Sequence, residues 1–216
     1  MRRRTLLVAS ATWPGWARAD VPTLVRAAAD GDMAALRRLL DAGVPVDARD
    51  GRGRTALLVA THADQVAAAR LLIERGADVN AKDDIQDSPF LYAGAAGRLQ
   101  ILRLTLAAGA DLKSTNRYGG TALIPAAHYG HVETVRELLN TKIAVDHVNR
   151  LGWTALLEAV ILGDGGPAHT EIVRLLLAHG ASPNRADAKG ISPLRHAEDR
   201  GQKAVADLLR RAGARP

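Results

Sequence analysis

The chain has 216 residues, 47% of them hydrophobic, and no cysteine, which excludes disulfides, thiol catalysis and cysteine-ligated zinc. No run approaches the ~18 apolar residues that a membrane-spanning helix needs, so membrane insertion of the mature chain is not expected. The formal charge of +6 sits at the start: Arg2, Arg3, Arg4 and Arg18 precede the first acid, and the other 25 basic residues face 23 acids, a balance that gives no reason to expect a nucleic acid partner.

Arg2-Arg3-Arg4 is a positive n-region, Thr5 to Trp13 is a short, moderately apolar stretch, and Pro14-Gly15 would break a helix. Ala17-Arg18-Ala19 then has the small-x-small pattern that signal peptidase cuts, with Asp20 following. This is the layout of a secretory signal peptide over residues 1–19, and it implies a periplasmic or secreted protein. Arg3-Arg4-Thr5-Leu6-Leu7 also fits a minimal twin-arginine core, so both export routes stay open. The alternative is an uncleaved extension on a cytoplasmic protein, with a chain that starts at Met1 rather than Asp20.

From residue 20 onward one pattern recurs. Thr55, Ser88, Thr121, Thr154 and Ser192 each open an apolar segment, at intervals of 33, 33, 33 and 38 residues. The segments include Ser88-Pro89-Phe90-Leu91-Tyr92-Ala93, Thr121-Ala122-Leu123-Ile124-Pro125-Ala126 and Ser192-Pro193-Leu194-Arg195-His196-Ala197. A period in the low thirties opening T-P-L-H-x-A is the signature of ankyrin repeats, and the chain resembles that family over roughly residues 20 to 214. The resemblance implies an all-α solenoid of about six helix-turn-helix units with short hairpin turns, at about 20–49, 50–82, 83–115, 116–148, 149–186 and 187–214. Each unit is too small to bury its own apolar face, so stacking makes the core.

Repeat one has Pro22 where the opening Thr would stand; Leu24, Ala27 and Ala28 face inward, and Gly31 and Gly43 end its two helices. Repeat two puts Asp64 at the interhelix glycine, a residue type that tolerates the left-handed conformation. Repeat three carries Gln86 at the glycine of its hairpin, which predicts a strained or differently shaped tip. Repeat four carries Lys142 at its closing glycine, a corner expected to relax or end differently. Repeat five holds the five extra residues, Asp164-Gly165-Gly166-Pro167-Ala168, expected to project as a loop because Gly-Gly-Pro extends neither helix. Repeat six ends in Arg210, Arg211 and Gly213 and reads, with repeat one, as a cap. Capped ends imply a monomer.

In ankyrin repeats the usual binding surface is the concave side, made of hairpin tips and the exposed ends of the inner helices. Carried over by position, it comprises the tips Asp84 and Ile85, Arg117 and Tyr118, and Arg150 and Leu151. Asp87, Gly120 and Trp153 stand just before the opening Ser or Thr, and Ala95-Ala96, His128-Tyr129 and Ile161-Leu162 end the inner helices. Phe90, Tyr92, Tyr118, Tyr129 and Trp153, the aromatics outside the leader, all fall in repeats three to five. Phe90 and Tyr92 occupy leucine positions and read as core. Tyr118, Tyr129 and Trp153 occupy variable positions beside Arg117 and Arg150, residue types enriched in interface hot spots. The resemblance therefore implies a non-enzymatic protein-binding module without cofactor, its partner held in the groove of repeats three to five.

Two competing readings attach to the insertion. The loop 164–168 could fold over Ile161, Leu162 and Trp153 as a local cover. Glu158, Asp164 and His169 could instead converge there as the acid/base or metal trio of a small-ligand-binding or hydrolytic protein. His131 and His179 match common family positions and read as structural, while His128, His147 and His169 show no metal-ligand spacing such as H-x-x-x-H. The glycine-rich stretches are turns, with no phosphate-cradling loop among them.

Overall fold

The computed structural model describes residues 15–215, so the n-region and the apolar stretch to Trp13 lie outside the described residues. These form twelve helices and no strand. The units are α1 (Gly15–Asp30) with α2 (Met33–Asp41), α3 (Ala56–His62) with α4 (Val66–Glu74), and α5 (Pro89–Ala95) with α6 (Leu99–Ala107). They continue as α7 (Leu123–His128) with α8 (Val132–Leu139), α9 (Ala155–Ile161) with α10 (Pro167–Ala178), and α11 (Pro193–Asp199) with α12 (Lys203–Arg211). Odd-numbered helices stack on one another as an inner layer and even-numbered ones as an outer layer. Helices of six to nine residues are marginal alone, so their stability is tertiary. Leu57, Phe90, Leu123 and Leu156, at one register of successive inner helices, are all fully buried or nearly so.

The recurring Thr and Ser cap the inner helices. The hydroxyls of Thr55, Ser88, Thr154 and Ser192 accept from the backbone N–H three residues on, at 3.1–3.2 Å. Thr121 departs from this. Pro125 lacks the N–H that the Thr121 carbonyl would accept, so Ile124 N–H turns to that carbonyl instead (3.2 Å), and the Thr121 hydroxyl is left buried without a partner. Each hairpin is organised by one Asp or Asn whose Oδ1 accepts from the N–H groups two and four residues on: Asp50, Asp83, Asn116, Asn149 and Asp187.

The irregular positions resolve as follows. Asp64 (φ 56°) and Gln86 (φ 68°) keep the left-handed conformation despite their side chains. Lys142 does not; Thr141 ends that corner, its hydroxyl donating to Leu138 O (2.6 Å) and accepting from Ile143 N–H (3.1 Å). The insertion is not wholly a loop. Pro167 is the first residue of α10, where a missing N–H costs nothing, so the extra residues partly lengthen the outer helix to 12 residues. α1 runs through Ala17-Arg18-Ala19 to Asp30 with Pro22 inside it.

Candidate functional site

A groove of about 700 Å³ opens along the inner layer from repeat three to repeat five. Of the residues expected on the concave side, Asp87, Arg117, Tyr118, His128, Tyr129, Leu151 and Leu162 line it, together with Gly120, Ala95 and Ala96. Tyr118, Tyr129, Leu151 and Leu162 are all about half exposed, an apolar group presented to solvent. Tyr129 stacks on His128 (centroids 4.2 Å apart, 14° between planes), and the Arg117 guanidinium lies 5.1 Å over the Tyr118 ring. Arg117 also pairs with Asp87 at 3.3 Å. Burial pushes the Asp87 carboxyl up, and Arg117 opposes the shift.

The other expected residues lie off the groove lining. Arg150 N–H donates to Tyr118 O (2.9 Å) and its guanidinium to Arg117 O (2.9 Å), so it clips the tip of repeat five to that of repeat four. Trp153 is half-buried, and Ile161 is half-buried with its carbonyl taken by the Arg200 side chain. Asp84 and Ile85 stay at the exposed tip of repeat three, where Asp84 N–H reaches Arg52 O.

The groove is also lined by residues that the position-by-position transfer did not select, among them Asn116, Ile124, His131, Asn149 and Glu158. Glu158, on α9, lines it while being only 7% exposed. Its Oε1 accepts from Asn149 Nδ2 at 2.8 Å, and its Oε2 lies 3.7 Å from His128 Nδ1. Desolvation raises its pKa to about 7, with the Asn149 hydrogen bond pulling the other way. His128 is pushed down by its own burial and then by His169, so it is neutral at pH 7 and gives the carboxylate no charge. The same register in repeat six holds His196, whose Nε2 pairs with Asp187 Oδ2 at 2.9 Å. The sequence signal was available: a carboxylate at the variable position of the T-P-L-H-x-A motif, with Asn rather than Asp nine residues before it.

Of the trio, Asp164 and His169 meet, while Glu158 turns to Asn149 and His128 instead. His169 is held by Asp164 (2.8 Å) on one ring nitrogen and by His128 O (2.8 Å) on the other. Asp164 also accepts from Gly166 N–H, and Gln202 Nε2 donates to Val160 O and Gly163 O, so the loop is fastened on both sides. Nor does it cover the groove, since Tyr129 and Leu162 remain 60% and 44% exposed.

A capped stack of helix pairs with a groove on its inner face is a helical-repeat scaffold. The ankyrin repeats (many copies) family matches residues 24–73 and the ankyrin repeats (3 copies) family residues 90–187. The chain is similar to the crystal structure of an ankyrin repeat domain from Acinetobacter baumannii AYE, with 60% identity and a TM-score of 0.87 over 89% of this chain and 98% of that one. It is also similar to EF0377, an ankyrin repeat protein, with 40% identity and a TM-score of 0.84 over 88% of this chain and 97% of that one. The Escherichia coli K12 ankyrin repeat protein YahD is 51% identical over 57 residues, which span 26% of this chain and only 28% of YahD. The chain belongs to the ankyrin repeat family. Domains of this family generally mediate protein–protein interaction and are generally non-enzymatic scaffolds.

Proposed function

We propose that the chain is an exported, non-enzymatic protein-binding module that holds its partner in the groove of repeats three to five. The observation that carries this is the clustering of exposed Tyr118, Tyr129, Leu151 and Leu162 around one concavity, on a face whose caps and turns need none of them. Arg150 supports that face by clipping one tip to the next, and Trp153 lies outside the lining. Export is supported by the leader and by Pro22. Cleavage after Ala19 places Pro22 in the first turn of α1, where its missing N–H has no acceptor to satisfy; in the uncut helix the Arg18 carbonyl loses its partner.

The test is affinity capture from the native extract with wild-type protein and with Tyr118→Ala/Tyr129→Ala, alongside intact-mass reading of the N-terminus. A partner is expected on the wild type and absent from the variant, with the helical circular-dichroism signal unchanged and the chain starting at Asp20. A partner retained by the variant would place binding elsewhere, and a chain starting at Met1 would end the export reading.

A further inference from the structure

We propose that the groove takes an extended segment of a protein partner and seats one lysine of that segment with its ammonium on the carboxylate of Glu158. This rests on the protein-binding reading above and adds the chemistry of its central contact.

Charge in the groove is the first support. Among the charged groups lining it, Asp87 and Arg117 pair with each other at 3.3 Å. His128 and His131 are both pushed down by burial and carry no charge at pH 7. Glu158 remains as the carboxylate without a counter-charge. A buried carboxylate in that condition is costly to ionise, and a cation from outside removes the cost.

Geometry selects the kind of cation. Oε1 is already taken by Asn149, while among the described residues Oε2 accepts no hydrogen bond. One available oxygen suits an ammonium, a point charge with a single donor directed at it; a guanidinium fork needs two. Ile124, Leu151 and Leu162 line the same groove as Glu158, apolar surface that favours the methylenes of a lysine stem. Tyr129, stacked flat on His128, adds an aromatic face to the same lining. The groove crosses three repeats, from Asp87 to Leu162, so it matches an extended chain with apolar residues on either side of the lysine.

The probe is a random octapeptide library displayed on phage, selected at pH 8 on the full chain, on Glu158→Gln and on Tyr118→Ala/Tyr129→Ala. The wild type is expected to enrich one lysine at a fixed position among apolar residues. Glu158→Gln should lose the lysine preference, and the tyrosine variant the whole consensus. With one selected peptide in solution, lysine to norleucine should weaken binding to the wild type about tenfold or more. The same change should matter less than about twofold for Glu158→Gln. Because the second comparison alters only the peptide, a folding defect cannot imitate it. A consensus lost on the tyrosine variant but without lysine, or with arginine in its place, overturns the Glu158 contact and leaves the groove standing. An equal norleucine effect on both proteins does the same. No consensus, or one that binds the tyrosine variant equally, overturns the groove reading itself.

Discussion

Glu158 carries a cost that the rest of its repeat does not require. Its pKa of about 7 in the folded chain, against an ordinary value near 4.5, means that the folded state holds a proton the unfolded chain gives up. A raised acid pKa contributes stability that is fully present below about 4.5 and is lost as pH rises through about 7. A rise from 4.5 to about 7 corresponds to about 3 kcal/mol. Glu158→Gln keeps the Asn149 hydrogen bond and removes the ionisation. The variant should therefore match the wild type at pH 4 and exceed it by about 3 kcal/mol at pH 8 in denaturant titrations. A constant difference across that range would mean that Glu158 ionises freely. That this position faces the groove was not legible from spacing alone. What makes the carboxylate buried is the Asn149 amide nine residues away and the inner helices one period before and after it.

At the scale of the element, the capping pattern makes an internal control. Thr154 and Thr121 stand at the same register and are both buried, yet Thr154 caps its helix and Thr121 caps nothing. Thr154→Val should cost about 1 kcal/mol, the usual value of a lost cap. Thr121→Val should be neutral or slightly stabilising, because it removes a buried hydroxyl without a partner. Thermal unfolding of the two variants side by side checks the pair. Helix starts were legible from the Thr/Ser period, because the period is itself set by capping and turn chemistry. The start of α10 was not legible in the same way. Pro167 reads as a breaker in isolation, but at the first position of a helix the same ring is pre-set for it. Arg150 was legible as a tip residue and Trp153 as the residue before the opening Thr, but whether such a side chain faces the groove or clips the adjacent tip depends on its rotamer.

For the whole molecule, stability is a sum of units and of the interfaces between them, and the groove spans two such interfaces. Gly94 marks a close approach at the first of them. A Cβ there would lie 2.8 Å from Ala122 Cβ and 3.2 Å from Ala122 O, so α5 meets the residue that precedes α7 through the absence of a side chain. Gly94→Ala should destabilise by about 1–3 kcal/mol by overpacking. It should also separate the denaturant transition into two steps, repeats one to three apart from repeats four to six. A single, unshifted transition would show that the stack absorbs the methyl. Peptide binding should weaken in step with the loosened interface.

The hairpins carry a further consequence. The turns of repeats two to six are each closed by one oxygen of an Asp or Asn; in repeat two the second oxygen pairs with Arg54 of the same turn, whereas in repeats five and six the outer atom reaches the helix. In repeat five that atom is the amide nitrogen of Asn149, which meets the acid Glu158; in repeat six it is the second oxygen of Asp187, which meets the base His196. Exchanging one amide for one carboxylate thus rewrites which side chain the neighbouring helix can display, while the backbone is left as it was. An array of such units is a reprogrammable surface, in which the chemistry of each row can drift independently of the scaffold that carries it.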